Sequence, residues 1–160
     1  MTSFHDQPKI KANFKRAKVL FVEDSDDHWL LIERAMQKCL SEITPVRALS
    51  PQEALAFLHE WQHQEWEIPK LIIQDLYLPN RASGWQLLRQ IKQMPAPFGQ
   101  VPVIMLSSSD DCHDVMEAYT IGASSYLVKP TTFAEWIVYF QELRTYWWET
   151  VSLPPLQYVL

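Results

Sequence analysis

At 160 residues and 18.8 kDa the chain has the size of one ordinary domain, and its 48% hydrophobic and 21% charged residues exclude disorder as a description of the whole. Nineteen acidic against 14 basic side chains, a formal net charge of -5, exclude a general polyanion binder, because phosphate contacts need a clustered cationic face. Only 3 glycines accompany 11 prolines, which excludes Gly-rich phosphate loops, and Cys39 and Cys112 make neither a disulfide framework nor a zinc spacing.

Residues 1–17 carry Lys9, Lys11, Lys15 and Arg16 without apolar periodicity and are expected to form a flexible, basic, solvated arm. From Lys18 an apolar run, Val19-Leu20-Phe21-Val22, ends abruptly in Glu23-Asp24-Ser25-Asp26-Asp27, the pattern of a buried strand that delivers carboxylates at its carboxyl end. Helical spacing over Trp29 to Leu40 predicts a helix with Leu30, Leu31, Met36 and Leu40 in the core, and Asp26 and Asp27 read as acidic groups at its N-terminus. A short strand is predicted near Val46 to Leu49. Ser50-Pro51-Gln52-Glu53 then combines an N-cap, a first-turn proline and a capping-box glutamate, starting a helix expected to run through about Trp66.

Leu71-Ile72-Ile73-Gln74-Asp75 repeats the apolar strand that ends in a carboxylate, and Gly84 to Gln93 is amphipathic up to the stops at Pro95 and Pro97. Val103-Ile104-Met105-Leu106 is a fourth buried strand, running into a Ser107 to Asp111 loop that caps a helix through Tyr119. Tyr126-Leu127-Val128 is a fifth strand ending in Lys129-Pro130; Thr132 and Glu135 box the start of a last helix from Phe133 to about Glu149. Five strands alternating with five helices, with no fixed-period repeat, predict an α/β fold with a doubly wound parallel sheet over residues 18–150, followed by an apolar tail at 151–160. No apolar run approaches the roughly 18 to 20 residues that cross a bilayer, and the first twenty residues lack the apolar core of a secretion signal. A reducing, cytoplasmic location without membrane or direct nucleic-acid contact is expected.

In such a sheet the carboxyl ends of all strands open on one edge, and the crevice lies where strand order reverses. With the order 2-1-3-4-5, Glu23, Asp24 and Asp75 converge on one pocket, with the Ser107 hydroxyl and the Lys129 ammonium on its far side. Two carboxylates about 4 Å apart repel by about 4 kcal/mol at an effective dielectric near 20, so a third requires a cation. A hard divalent ion, Mg2+, suits a shallow site of carboxylate oxygens, a backbone carbonyl and waters. A carboxylate can attack phosphorus to give an aspartyl phosphate while magnesium and a lysine neutralise the transferring group. Asp75 stands alone at its strand end and reads as the nucleophile, with Glu23 and Asp24 as a metal-binding pair and Ser107 as a hydrogen-bond donor to a phosphoryl oxygen. Taken singly, each of these is more simply a loop residue or a surface lysine; the four strand ends together make coincidence a poor account.

Val22-Glu23-Asp24-Ser25, Ile73 to Pro79 with Gly84, Pro102 to Ser108 and Gly122 to Pro130 resemble the receiver domain of two-component response regulators, over about residues 17–150. The loop before the third strand, Tyr146-Trp147-Trp148 and Val151-Ser152-Leu153-Pro154 are similar to the single-domain regulators paired with cyanobacterial phytochromes. The resemblance implies a flavodoxin-like, CheY-like fold in which Asp75 takes a phosphoryl group from a sensor histidine kinase, here of phytochrome type. It implies that Asp24 and Asp75 bind Mg2+ directly, Glu23 through a water, and the Tyr77 carbonyl completes the set. It also implies a Ser107 and Tyr126 switch that moves the face of helix four, strand five and helix five, and a cis Lys129-Pro130 bond that puts the ammonium in the pocket.

Against the family pattern, Tyr77 is bulky at two places after the acceptor and predicts hindered water attack. The stretch from Pro79 to Gly84 is one residue longer than the common spacing, and Glu23 stands for the commoner aspartate. With eleven residues beyond Glu149, output is expected through protein contacts, to a downstream protein target or a second copy of the chain. Phe133, Trp136, Ile137, Phe140 and Trp147 form the predicted core stripe of the last helix, and Tyr139 with Tyr146 a second, interfacial face. Two rival readings fit less well: a haloacid-dehalogenase-like phosphatase wants an acid where Tyr77 stands, and a non-phosphorylated pseudo-receiver adaptor does not need Asp24, Asp75, Ser107 and Lys129 together. A flavodoxin-like flavin carrier fails because Glu23 to Asp27 occupies its phosphate loop.

Overall fold

A computed structural model describes residues 10, 13–15 and 17–154. Its elements are β1 (Lys18–Val22), α1 (Asp26–Cys39), β2 (Thr44–Ala48), α2 (Pro51–Trp61), β3 (Leu71–Asp75), α3 (Arg81–Gln93), β4 (Val103–Ser107), α4 (Cys112–Ile121), β5 (Ser125–Val128) and α5 (Phe133–Leu143). Every strand pairing is parallel, and the order is β2-β1-β3-β4-β5. The chain is therefore the α/β doubly wound sheet with five helices that the alternating pattern predicts.

Alternation along the strands sorts the core into two layers. Leu20, Val22, Ile72, Val103 and Met105 face α2, α3 and α4 through Leu58, Leu87, Leu88 and Ala118. Val19, Phe21, Ile73, Ile104 and Leu106 face α1 and α5 through Ile32, Met36, Trp136 and Phe140. The central strands β3 and β4 are buried along their whole length, including the polar groups at their carboxyl ends, Asp75 and Ser107.

Capping chemistry sets the helix starts. Ser25, Ser50, Asn80, Asp111 and Thr132 each accept a backbone N–H of the first turn, which satisfies donors that no helical carbonyl can reach. Ser25 starts α1 at Asp26 rather than Trp29, and this phase turns Ile32, Ala35 and Met36 inward while Leu30 is exposed. Asn80 starts α3 at Arg81, three residues before Gly84. A β-carbon on Gly84 would lie 1.8 Å from the Leu76 carbonyl oxygen, so only glycine lets α3 press on the turn after β3. The helix α2 stops at Trp61, short of Trp66, and a 3-10 turn at Glu65–Glu67 leads to β3. Leu49 lies beyond β2, which begins at Thr44 instead of Val46. Gly122, at φ 126°, closes α4 in a conformation that side chains disfavour.

The C-terminal helix departs most from its periodicity. After Leu143 the chain widens into a π-helix, Arg144–Thr150, closed by the Val151 N–H on the Tyr146 carbonyl five residues back. One residue of phase is lost, so Trp148, and not Trp147, is the fully buried indole. Tyr139 and Tyr146, seven apart, would share a face only on a continuous α-helix. Here Tyr139 is packed against Trp136 and Phe140 with its hydroxyl buried, while Tyr146 is exposed, which overturns the expectation of a two-tyrosine interface. Burial also pushes the Tyr139 hydroxyl far above the usual phenol range.

Within the segment expected as a solvated arm, Asn13 and Phe14 are packed rather than solvated; Lys9, Lys11 and Arg16 lie outside the described residues, as do residues 155–160 of the tail. Asn13 Nδ2 donates to the carbonyls of Trp148 (2.9 Å) and Val151 (2.7 Å), and its Oδ1 accepts the Leu153 N–H. Replacing it by alanine strands two carbonyls at the end of the π-helix. An Asn13→Ala variant is expected to lose about 1 to 3 kcal/mol in urea unfolding; a loss under about 0.5 kcal/mol would show that the turn holds itself.

Candidate functional site

The strand order puts β1 beside β3 and β3 beside β4, so their carboxyl ends meet in one crevice. Glu23 and Asp24 follow β1, Asp75 ends β3, Ser107 ends β4 and Lys129 follows β5. Glu23, Asp75, Ser107 and Lys129 are all buried, whereas Asp24 is exposed at the mouth. One carboxylate oxygen from each of Glu23, Asp24 and Asp75 lies within 4.8 Å of the others. The structure thus brings together Glu23, Asp24, Asp75 and Lys129, with Ser107 at the end of the strand next to Asp75.

Lys129 Nζ uses its three donors inside this pocket. It pairs with Glu23 Oε2 at 2.8 Å, donates to Asp75 Oδ2 at 3.1 Å, and donates to His28 Nδ1 at 2.8 Å. The expected cis Lys129-Pro130 bond is absent: the cis peptides among the described residues are Leu78-Pro79 and Ala96-Pro97. The ammonium reaches the pocket because the Lys129 N–H donates to the Ser107 carbonyl at 2.7 Å, which prolongs the β4–β5 register by one residue.

Asp75 Oδ1 accepts the Tyr77 N–H at 3.3 Å. Burial and the Glu23 charge outweigh the opposing pull of Lys129 and that N–H, and push the Asp75 carboxyl up to about 6. A carboxylate held above its ordinary range at neutral pH is short of positive charge. Two carboxylates within 4.8 Å of each other repel by at least about 3 kcal/mol at an effective dielectric near 20, and Lys129 pairs with only two of the three. An all-oxygen donor set with unbalanced negative charge fits a hard divalent cation, with Glu23, Asp24 and Asp75 as the side chains that could hold it.

Ser107 is fully buried and its Oγ accepts the Ser109 N–H at 3.1 Å. Tyr126 is half-buried, and its hydroxyl donates to the Ser109 carbonyl at 2.7 Å, so the ring leans toward the loop after β4. Asp26 and Asp27 stay in the first turn of α1, where Arg47 pairs with Asp26 at 2.8 Å, in keeping with their reading as cap residues.

Sequence reasoning missed His28, Arg81, Ser109 and Asp114. Starting α1 at Trp29 hid His28, whose ring lies on the first turn, directly over the crevice; a helix begun at the Ser25 cap would have exposed it. Asp114 resembled an ordinary surface acid of a helix start, yet it is buried, accepting Ser109 Oγ at 2.7 Å and pairing with Arg81 at 3.1 Å. No local pattern marks that pair, which joins the first turns of α3 and α4.

Comparison with known proteins identifies the family to which this fold belongs. The model of the response regulator receiver domain family matches residues 19–140. Response regulator Rcp1 of Synechocystis sp. is 29% identical over 137 residues, covering 85% of this chain and 92% of Rcp1. Among solved structures, the response regulator RPA3017 in red light signaling of R. palustris superimposes with TM-score 0.77 at 25% identity, covering 86% of this chain and 98% of that one. The phosphorylated cyanobacterial phytochrome response regulator RcpA does so with TM-score 0.76 at 27% identity, with the same coverage. Since the matched stretch runs from β1 into α5 and carries every residue of the crevice, the chain belongs to the response regulator receiver domain family and is a homologue of phytochrome-associated regulators.

Proposed function

We propose that this response regulator takes a phosphoryl group onto Asp75 from the phosphohistidine of a sensor kinase, with Mg2+ in the crevice, and passes the signal on by protein contacts. The observation that carries this reading is the meeting of three carboxylates with the Lys129 ammonium around Asp75. An Asp75 oxygen forms the new P–O bond as the P–N bond to the donor imidazole breaks; with the other ring nitrogen of the donor protonated, the imidazole leaves as neutral histidine and Asp75 carries the acyl phosphate. Glu23, Asp24, Asp75 and the Tyr77 carbonyl would hold Mg2+, which when bound supplies positive charge opposite the phosphoryl oxygens. Lys129 carries a second positive charge and is already aimed at Asp75. Ser107 donates its hydroxyl to a phosphoryl oxygen. That movement releases the Ser109 N–H and draws on the loop that Tyr126 holds, biasing a two-state equilibrium.

The output surface is the α4–β5 side, where Met116, Tyr119 and Val128 are exposed. A downstream protein or a second copy of the chain would bind there. The RcpA and RPA3017 likenesses support a phytochrome-type kinase as the donor's class.

Incubation with acetyl phosphate and Mg2+, followed by mass spectrometry of the hydroxylamine-labile product, tests the reading: one phosphate on Asp75 is expected, and no phosphate would turn the reading toward an unphosphorylated adaptor. Tyr77 also predicts a kinetic property. Its ring begins two residues after the acceptor and obstructs water, so Tyr77→Asn is expected to lose phosphate several-fold faster; an unchanged or slower loss refutes the obstruction.

A further inference from the structure

Two loops flank Asp75, one running from β3 into α3 and one from β4 into α4. A single guanidinium joins them. Arg81 Nη2, in the first turn of α3, donates to the Tyr77 hydroxyl at 3.1 Å and pairs with Asp114 Oδ2 at 3.1 Å, in the first turn of α4. The guanidinium carbon also lies 5.8 Å from the centre of the Tyr77 ring. Arg81 is half-exposed, but the Asp114 side chain is only 5% exposed, and the same Oδ2 accepts Ser109 Oγ at 2.7 Å. The anchor of the bridge is therefore a buried, doubly engaged carboxylate rather than a solvated surface acid, for which ion pairing contributes little.

The contacts form one chain. Asp75 Oδ1 accepts the Tyr77 N–H, Arg81 holds the Tyr77 hydroxyl, Asp114 holds Arg81, and Ser109 holds Asp114 while accepting the Tyr126 hydroxyl on its carbonyl. We infer that Arg81 and Asp114 are positioning residues that clamp the Tyr77 ring beside Asp75 and so set the lifetime of the acyl phosphate. This rests on the phosphoacceptor reading of Asp75.

The physical argument is one of restraint. Tyr77 sits in a loop, half-buried, with its ring packed on the core edge and its hydroxyl at the surface. Held at the hydroxyl, the ring keeps one rotamer, and a ring fixed two residues from Asp75, whose N–H already binds the Asp75 carboxylate, limits the ways in which water can approach the acceptor. Released, it gains access to solvent-facing rotamers, and water reaches the phosphorus along the vacated path. The clamp also makes the wall responsive, because Asp114 is tied through Ser109 to the loop that Ser107 and Tyr126 share.

The test compares phosphate loss from protein loaded with acetyl phosphate and Mg2+, then freed of donor. Arg81→Ala and Asp114→Asn are each expected to speed loss roughly three- to tenfold, with the double variant no faster than either single one. Asp114→Asn keeps an acceptor for Ser109 and removes only the charge, which guards the fold. In a Tyr77→Ala background Arg81→Ala is expected to change the rate by less than about 1.5-fold, a cancellation that a merely structural role would not produce. Phosphorylated variants with unaltered lifetimes, or effects that multiply in the double variant or persist without Tyr77, overturn the clamp and leave the Asp75 reading standing. A wild-type chain that never takes phosphate overturns both.

Discussion

An Asp75→Asn variant is expected to take up no phosphate from acetyl phosphate in Mg2+, and in EDTA to be more stable than the wild-type chain at neutral pH. The first result follows from chemistry, since a carboxamide oxygen is too weak a nucleophile to displace the donor's leaving group. The second follows from the crowding of charge. Asp75 has its carboxyl pushed up to about 6 by burial and the nearby Glu23 carboxylate, against an ordinary value of 3.8. A raised folded-state value means that the folded chain holds the proton more tightly than the unfolded one between these two values. Stability therefore falls as pH rises from about 4 through about 6, and the ionised form at neutral pH costs roughly 3 kcal/mol. Asparagine removes that charge, so the melting temperature in EDTA at pH 7 is expected to rise by about 6 to 12 °C, and the dependence on pH between 4 and 6 to flatten. Saturating Mg2+ is expected to narrow the gap between the two chains. Equal melting temperatures in EDTA would mean that Lys129 already balances the crevice and that no cation is called for.

Removing the lysine is expected to produce the opposite imbalance. Lys129→Met leaves Glu23 and Asp75, both buried, without their common counterion. Breaking a buried pair from one side typically costs about 3 to 5 kcal/mol, because the remaining charge keeps its desolvation penalty and loses its partner. Denaturant unfolding in EDTA measures that loss, and Mg2+ is expected to restore more stability to the variant than it adds to the wild type. Phosphate uptake at saturating donor is expected to fall by about 100-fold, the scale seen when one preorganised charge is removed from a developing oxyanion. Uptake within threefold of the wild type would place the ammonium outside the transfer chemistry.

How far the sequence reached differs between its two kinds of signal. Runs such as Val19 to Val22 and Val103 to Leu106 place strands because a strand covered on both faces must be apolar throughout, and the polar residues that follow can only be strand ends. Right-handed crossovers then bring those ends to one edge, so Glu23, Asp75, Ser107 and Lys129 were legible as a set. The last helix was misread for the complementary reason. Periodicity assumes one helical pitch, and the π-helix at Arg144–Thr150 changes it, turning Trp148 inward in place of Trp147 and leaving Tyr146 exposed, while Tyr139 is buried by the regular helix that precedes it. That widening is held by Asn13, more than a hundred residues away, a contact no local window contains.

By itself the sequence determined the alternating α/β architecture, the sheet edge that carries the chemistry and the excess of acid around Asp75, because burial and charge act on residue type wherever the chain goes. Only the tertiary structure decided that His28 would share the Lys129 ammonium, that Asp114 would be buried against Arg81, and that Tyr139 would leave the surface. Those outcomes depend on distances between segments and on helix phase, which pairwise contacts across the fold set and residue spacing does not encode.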